Sequence, residues 1–255
     1  MIGERKLEEQ KLKVRGVQKT FETIQAVQDV DLHVKKGEFV SIIGPSGCGK
    51  STILDMIAGL TTPDSGEILL GEESVTGKRG HVAYMPQKDV LFPWRTVIEN
   101  VMVPLEVAGV NKKKARKEAA EFLPIFGLSE FEDRFPGELS GGMRQRASFL
   151  RTYLCKKDLL LLDEPFGKLD ALTRLQMQQW LLEIWGQFKQ SVLLITHDID
   201  EAILLSDRIY VLSPRPGKII AEVNVDLPRP RASKITTSAD FTAIKSRILD
   251  DLTEH

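Results

Sequence analysis

Residues 44–51 of the chain are Gly44-Pro45-Ser46-Gly47-Cys48-Gly49-Lys50-Ser51, and Thr52 follows them. They match the pattern G-x-x-x-x-G-K-[ST], in which the backbone N–H groups of a glycine-rich loop surround phosphate groups. The flanking segments fit as well, because an apolar run at 39–43 precedes the loop and apolar residues at helical spacing, within 53–57, follow it. A strand, a loop and a helix in this order predict a nucleotide phosphate site at the positive end of the helix.

Three residues of this phosphate loop (residues 44–52) receive separate interpretations. Lys50 supplies a positive charge for the β- and γ-phosphates of ATP, and the Ser51 hydroxyl is a ligand for Mg²⁺. Cys48 is interpreted as a small loop residue, and a reactive thiol is the alternative. For the whole segment the alternative is a glycine-rich turn with an accidental Lys-Ser, which the flanking elements disfavour.

Two further apolar runs, 159–162 and 192–195, each end in polar residues. Unbroken runs of this kind are typical of parallel strands that are buried on both faces, and ligands bind beyond the carboxyl ends of such strands. We expect Asp163 to hold Mg²⁺, Glu164 to polarise an attacking water as general base, and His197 to reach the γ-phosphate. The alternatives are two carboxylates in a surface turn and a structural histidine.

The rest of the chain divides by its pattern of polar and apolar residues. Residues 12–34 and 66–84 alternate and predict short antiparallel strands, whereas residues from about 96 to 155 predict helices. The predicted fold class is α/β, a P-loop NTPase core with a mostly parallel sheet, an antiparallel β flank and a helical insertion. The divisions expected of this single domain are a nucleotide core with its β flank (12–86 and 157–225), a helical insertion (88–155) and a C-terminal extension (226–255) with a terminal helix (238–253).

Composition and charge exclude several classes of protein. The chain has 255 residues with 35 Lys and Arg against 36 Asp and Glu, and a net charge of −1 argues against a basic nucleic-acid binder. The sequence contains no run of about 18 apolar residues, so no transmembrane helix is predicted. The charged segment 1–16 does not resemble a signal peptide. Two cysteines give neither a disulfide framework nor metal spacing. A basic run at 112–117 is interpreted as a solvated helix face, with an anionic-lipid contact as the alternative. These features predict a cytosolic, soluble and ordered protein.

The segment that narrows the prediction to one family is Leu139-Ser140-Gly141-Gly142-Met143-Arg144-Gln145-Arg146. With the other motifs it closely resembles the ATP-binding subunit of ABC transporters, in order and in spacing, over roughly residues 12–225. Those other motifs are the phosphate loop, Gln87, Asp163-Glu164, Asp170 and His197. A phosphate loop alone is moderately specific, whereas the six-part set is very specific.

This resemblance implies roles for residues that the physical argument leaves unassigned. Phe21 lies where the family stacks an aromatic ring on adenine, and Gln87 matches the glutamine that contacts Mg²⁺ and the attacking water. The segment Ser140-Gly141-Gly142 matches the signature that caps the γ-phosphate from the opposite subunit, and Asp170 is retained as a further nucleotide-site residue. The resemblance therefore implies a head-to-tail dimer of the chain that encloses two ATP, with two half-sites and no complete site in one chain.

One residue departs from the family pattern. Lys168, within the segment 166–170, stands where the family usually has a small residue, often Ala. It is expected to project into solvent or to pair with an acidic residue across the dimer. The departure concerns the details of the dimer contact and leaves the function that the other motifs imply unchanged.

Three segments narrow the family further, namely 91–97 (LFPWRTV), 213–219 (SPRPGKI) and 227–231 (LPRPR). They resemble segments of the nitrate, sulfonate and taurine importers. The segment 151–154, with 171–178 downstream, resembles ATPases that serve the uptake of pyrimidine thiamine precursors. Phe92 and Trp94 are interpreted as lining a groove that takes a permease helix, and a place in the core is the alternative.

The function implied is Mg²⁺-dependent ATP hydrolysis that powers import of a small solute: a sulfonate, taurine, nitrate or a pyrimidine thiamine precursor. The implied partners are a separate integral membrane permease, a second copy of the chain and, indirectly, a solute-binding protein, but not nucleic acid. The chain is then expected to be peripheral, on the cytoplasmic face of the cell membrane. The alternatives are a soluble ABC ATPase not coupled to transport, a regulatory nucleotide-binding module and an exporter half. The presence of Glu164 and His197 disfavours the regulatory module.

Overall fold

The strands form two sheets in the computed structural model, which describes residues 10–88 and 90–254. Their bounds are β1 (Gln10–Phe21), β2 (Ile24–Lys35), β3 (Phe39–Ile43), β4 (Ser65–Leu70), β5 (Glu73–Ser74), β6 (Ala83–Met85), β7 (Leu159–Asp163), β8 (Ser191–Thr196), β9 (Arg208–Leu212) and β10 (Ile219–Asn224). One sheet has the order β2-β1-β4-β5 and is antiparallel, and the other has the order β10-β9-β3-β8-β7-β6. In the second sheet β10 is antiparallel and the other strands are parallel. The predicted fold class is confirmed.

Helices cover both faces and one end of the parallel sheet. Their bounds are α1 (Lys50–Ile57), α2 (Val97–Val101), α3 (Val103–Val107), α4 (Lys112–Phe122), α5 (Gly141–Tyr153), α6 (Ala171–Phe188), α7 (Ile199–Leu205) and α8 (Ala239–Thr253), with 3-10 turns at Ser129–Phe131, Pro136–Glu138 and Ser233–Thr237. Helices α2 to α5 follow one another between β6 and β7, so the helical prediction for 96–155 is confirmed. The terminal helix predicted at 238–253 is α8.

The unbroken apolar runs of the sequence are explained by β8, all of whose residues are buried. Val192 and Leu194 join the cluster that packs beneath α5 and α6, whereas Leu193 and Ile195 join the cluster shared with α1 and the antiparallel sheet. Successive side chains of a strand point to opposite faces, so a strand covered on both faces has no polar face. The buried strands form the sheet, and the polar segments follow the carboxyl ends of β3, β7 and β8.

The strand prediction for 66–84 is partly wrong. Ser65–Leu70 and Glu73–Ser74 are antiparallel as predicted, but Ala83–Met85 belongs to the parallel sheet, where it pairs with β7. Three residues are too few to show a period, so the sequence pattern does not distinguish this strand from the alternating residues before it. The strands at 12–34 also differ, because β1 and β2 are each 12 residues long rather than short.

The C-terminal extension packs against α7 and β9 through a buried arginine and an apolar face of α8. Arg231 is 2% exposed, and burial lowers its pKa to about 10. Its guanidinium donates hydrogen bonds to the backbone carbonyls of Ile203, Leu204, Ser206, Val225 and Leu227. These acceptors include carbonyls at the C-terminal end of α7, which lack intrahelical partners, so the arginine caps that helix.

Candidate functional site

An open cavity of about 490 Å³ lies at the carboxyl end of the parallel sheet. Its walls are formed by Phe21, Ile24, Ala26, Ser46, Gly47, Gly49, Lys50, Ser51, Thr52, Gln87, Glu164 and Arg215. The phosphate loop follows β3, Glu164 follows β7 and Gln87 follows β6 by two residues. The phosphate loop, Gln87 and Glu164 therefore meet at one edge of the sheet, whereas His197 is not among the residues that line this cavity.

The phosphate loop holds its lysine against its own backbone. Lys50 is 5% exposed, and its Nζ donates to the carbonyl oxygens of Gly44 at 2.8 Å and of Pro45 at 2.9 Å. Gly49 caps α1 with a φ of 106°, and a Cβ on this residue would lie 2.7 Å from the oxygen of Ala26, so only glycine fits there. A fixed ammonium at the start of a helix creates a strongly positive site for an anion.

Cys48 is 1% exposed, and its Sγ lies 3.8 Å from Lys50 Nζ. A thiol so deeply buried is poorly accessible to reagents, which agrees with its interpretation as a small loop residue.

Asp163 and Ser51 approach each other below the loop. Ser51 Oγ lies 3.5 Å from Asp163 Oδ1, and the hydroxyl of Tyr84 donates to Asp163 Oδ2 at 3.2 Å. Burial raises the pKa of the Asp163 carboxyl; the Tyr84 hydrogen bond acts in the opposite sense, and the charges of Glu164 and Asp55 raise it again. A cation beside this carboxylate would favour its charged form, so the site has the electrostatics of a cation site.

The carboxylate of Glu164 contacts two residues from different segments, Gln87 and His197. Its Oε2 accepts a hydrogen bond from Gln87 Nε2 at 3.0 Å and lies 3.2 Å from His197 Nδ1. Its backbone has a φ of 42°, in the left-handed region that non-glycine residues rarely adopt. Such strained positions are concentrated at functional sites. The carboxylate, the amide and the imidazole therefore form one polar cluster at the cavity edge.

The residues of the signature segment and Asp170 lie outside the cavity, at the starts of α5 and α6. Ser140, Gly141, Gly142 and Asp170 are not among the described residues that line the cavity. Ser140 is exposed and caps α5, where its Oγ accepts from the N–H of Met143 at 3.3 Å. Asp170 is also exposed and caps α6 in the same way. One chain therefore presents the cavity and, separately, the exposed start of α5.

Residues 27–167, more than half of the chain, match the family described as ABC transporter. The chain belongs to the ABC transporter family. It is 42% identical over 240 residues to the aliphatic sulfonates import ATP-binding protein SsuB of Bacillus cereus, with 92% of this chain and 93% of that protein covered. It is 43% identical over 225 residues to the nitrate import ATP-binding protein NrtD of Synechocystis, with coverage of 86% and 85%.

A solved structure supports the same assignment. A dimeric ATP-binding cassette in a post-hydrolysis state, bound to ADP and Pi, matches with a TM-score of 0.73 and 31% identity over 85% of this chain and 100% of that one. The protein is thus the ATPase subunit of an ABC transporter: it binds ATP and couples its hydrolysis to transport. None of the described helices of this ABC transporter ATPase has the length and apolarity needed to cross a membrane.

Sequence reasoning missed two residues of the ABC transporter site. Arg215 lines the cavity, and its Nη2 and Nε donate to the carbonyl of Gly47 at 2.9 and 3.1 Å. Tyr84 holds Asp163 from the neighbouring strand. Arg215 lies in the segment 213–219, which the sequence relates only to the importer subfamily. An arginine between two prolines was a signal that could have marked it as a site residue. Tyr84 gave none, because a strand tyrosine is usually a packing residue.

The aromatic residues of the segment 91–97 are on the surface of the ABC transporter ATPase. Trp94 is 72% exposed, and Phe92 is partly buried, with its ring centroid 5.4 Å from that of Trp94. The alternative that both are core residues is therefore wrong for Trp94, because its indole faces solvent. Lys168 is also exposed in the single chain.

Proposed function

We propose that this ATPase powers the import of a small solute, a sulfonate, taurine, nitrate or a pyrimidine thiamine precursor, through a separate membrane permease. The observation that supports it is the identity of 42–43% to SsuB and NrtD over most of the chain, since the names of those proteins state import of sulfonates and of nitrate. The peripheral location follows, on the cytoplasmic face of the membrane beside the permease.

We infer that ATP occupies the cavity with its adenine at Phe21 and its phosphates at the phosphate loop. Phe21 is 46% exposed and lines the cavity, with Lys19 Nζ 5.5 Å from the centroid of its ring, and an aromatic ring in this place can stack on a base. The loop from Gly44 to Thr52 supplies backbone N–H groups and the charge of Lys50 to the phosphates. Ala26 and Ile24 give the adenine end of the cavity an apolar wall.

The donor atoms beside the loop fit Mg²⁺. Ser51, Gln87 and Asp163 provide hydroxyl, amide and carboxylate oxygens, the hard donors that this ion prefers. In the described part of the chain no cluster of three or more His, Cys, Asp and Glu side chains forms a metal site, and Mg²⁺ beside a nucleotide needs only one or two protein carboxylates. When bound, the ion neutralises charge on the phosphate oxygens.

Hydrolysis requires a water aimed at the γ-phosphate, and Glu164 is the residue that orients and deprotonates it in our proposal. Gln87 fixes the carboxylate by its hydrogen bond of 3.0 Å, so the free lone pairs of Glu164 point to a defined place. His197 Nδ1 lies 3.2 Å from the same carboxylate, and in our proposal its other ring nitrogen contacts the γ-phosphate. Both contacts reduce the motion of the base before the reaction.

We infer a head-to-tail dimer, because each chain offers a second anion site away from its cavity. The segment Ser140-Gly141-Gly142 forms the start of α5, with Ser140 exposed and Gly142 buried, and backbone N–H groups and the helix dipole there favour an anion. Asp170 stands at the start of the next helix, close to the same surface. In the dimer these residues complete the cavity of the partner subunit.

The permease is proposed to dock beside the cavity at the exposed Trp94. An exposed tryptophan with Phe92 next to it supplies a large apolar contact of the kind that anchors protein interfaces. This segment follows Gln87 by a few residues, so a movement of the permease helix can reach the Gln87–Glu164 contact.

Uptake by intact cells tests the import proposal. Cells whose own copy carries Glu164→Gln are expected to lose uptake of one of four labelled solutes: taurine, an alkanesulfonate, nitrate or a formylaminopyrimidine. Glu72→Gln is the matched control, since Glu72 is an exposed carboxylate paired with Lys13 on the antiparallel sheet. Normal uptake of all four solutes in the Glu164→Gln cells would contradict the proposal.

Arg215 is proposed to bind the nucleotide at the phosphates that ATP and ADP share, because it lies over Gly47 in the middle of the loop. Arg215→Ala is therefore expected to raise the Kd of ATP and of ADP by similar factors, each about tenfold for the loss of one charge-assisted hydrogen bond. Titration calorimetry measures both values. Arg79→Ala is the control, since Arg79 also donates to a glycine carbonyl, that of Gly59. An effect on ATP alone would place Arg215 at the γ-phosphate instead.

A further inference from the structure

Arg174, near the start of α6, lies between the two half-sites of the chain. We call the cavity residues with Glu164 and His197 the hydrolysis half-site, and Ser140-Gly141-Gly142 with Asp170 the signature half-site. Arg174 is separate from both sets but contacts a neighbour of each. Its Nη2 donates to the carbonyl of Leu169 at 3.1 Å, and its Nη1 lies 3.6 Å from Asp198 Oδ2.

On the signature side the contact continues by packing. Leu169 precedes Asp170, and its side chain fills the space beside Gly141, where an added Cβ would lie 3.2 Å from Leu169 Cδ2. Gly142 packs in the same way against Thr173, at 3.3 Å. The start of α5 therefore packs on Thr173 and on Leu169, and Arg174 bonds the carbonyl of Leu169, so a displacement of the signature half-site disturbs that backbone.

On the hydrolysis side the contact continues along the chain. Asp198 directly follows His197 and caps α7, where its Oδ1 accepts from the N–H of Glu201 at 3.0 Å. His197 in turn lies 3.2 Å from Glu164 Oε2. The guanidinium of Arg174 thus contacts the residue adjacent to His197.

Two buried polar atoms beside this contact have no hydrogen-bond partner among the residues that the structure describes. They are Nε of Arg174 and Oε1 of Glu201, and both residues line a cavity of about 10 Å³ that also includes His197 and Glu164. Glu201 is 3% exposed, and its other oxygen accepts from Gln178 of α6 at 3.0 Å. The junction of α6 and α7 beside the Arg174 contact is therefore polar and incompletely hydrogen-bonded within the chain.

We propose that Arg174 is a positioning residue that couples the two half-sites within one chain. In the head-to-tail dimer of the proposed function, on which this inference rests, the two half-sites of a chain belong to different ATP molecules. ATP at the signature half-site then shifts Leu169 and, through Arg174 and Asp198, sets the position of His197 at the other ATP. Occupancy of one site then controls hydrolysis at the other.

Steady-state ATPase measurements over a range of ATP concentrations test this coupling. The wild-type dimer is expected to show a Hill coefficient above 1, and Arg174→Met to lower it to about 1. We also expect kcat to fall about 10- to 100-fold because His197 loses its support, while the Kd of ATP for the single chain changes less than about twofold. Arg174→Lys retains the charge but cannot contact Leu169 and Asp198 at the same time. We therefore expect it to have a higher thermal stability than Arg174→Met but the same low Hill coefficient.

Arg116→Met is the matched control, because Arg116 pairs with Asp133 at 3.1 Å on the helical insertion. It is expected to leave kcat and the Hill coefficient unchanged. A simple loss of folded protein would lower kcat and leave the Hill coefficient at its wild-type value, so that result overturns the coupling. A wild-type coefficient of 1 overturns it too.

The dimer is measured separately, by the solution mass of the Glu164→Gln variant with ATP. If Glu164→Gln forms no dimer with ATP, the proposed assembly is wrong. If it forms the dimer but Arg174→Met keeps the wild-type Hill coefficient, only the role of Arg174 is wrong.

Discussion

Glu164→Gln is expected to lower the kcat of ATP hydrolysis by about 10²- to 10⁴-fold, the range that a general base contributes. The amide has the shape of the carboxylate and can still contact Gln87 and His197, which now meet Glu164 Oε2 at 3.0 and 3.2 Å. It cannot accept the proton of the attacking water. The Kd of ATP is therefore expected to remain within about threefold of the wild-type value, since uniform binding is not affected by the loss of a base.

The same variant is expected to accumulate as an ATP-bound dimer, because the step that opens the dimer is blocked. Size-exclusion chromatography with light scattering measures its mass with ATP and with ADP, and a coupled assay measures the rate. Glu72→Gln, the exposed carboxylate of the antiparallel sheet, should behave as the wild type in both. Hydrolysis by Glu164→Gln at the wild-type rate would show that another group is the base.

The parallel sheet and the hydrolysis half-site were predictable from the sequence because short-range patterns determine them. The unbroken apolar runs at 159–162 and 192–195 are strands β7 and β8, and each polar segment is fixed by its neighbours to the carboxyl end of a strand. The meeting of Glu164 with His197 follows from the parallel pairing of these two strands. The sequence therefore predicts that Glu164 and His197 lie at the same edge of the sheet, but not the distance between them.

What the sequence did not predict depends on contacts between distant segments. Arg215 donates to Gly47 across 168 positions, and no local pattern brings the two together. Arg174 is similar, since its role depends on the distance between α6 and α7 and not on a motif. β6 lies in the parallel sheet and not in the predicted antiparallel one, because the sheet of a three-residue strand is decided by its partner, β7, and the partner is a property of the fold. Packing, and not propensity, decides such elements.

Lys50→Ala is expected to raise the Kd of ATP by at least about 30-fold, which corresponds to the loss of one partner of a desolvated charge pair, about 2–5 kcal/mol. The ammonium is 5% exposed and is fixed at the loop by the carbonyls of Gly44 and Pro45. It therefore meets the phosphates without further loss of side-chain freedom or solvation. The effect should be on binding itself, in contrast to Glu164→Gln, where only turnover is lost.

The two carbonyls that lose their donor in Lys50→Ala could also weaken the loop, so a second variant separates charge from folding. Lys50→Arg keeps a charged donor in the loop and is expected to retain the melting temperature, but its planar head does not match a single ammonium position, and ATP binding should stay impaired. Lys78→Ala is the control, because Lys78 also donates to a backbone carbonyl, that of Ser74, at 2.8 Å. Calorimetry on the folded variants decides the matter: unchanged ATP affinity in Lys50→Ala would remove the lysine from the nucleotide site, and with it the electrostatic reason for binding phosphates at this loop.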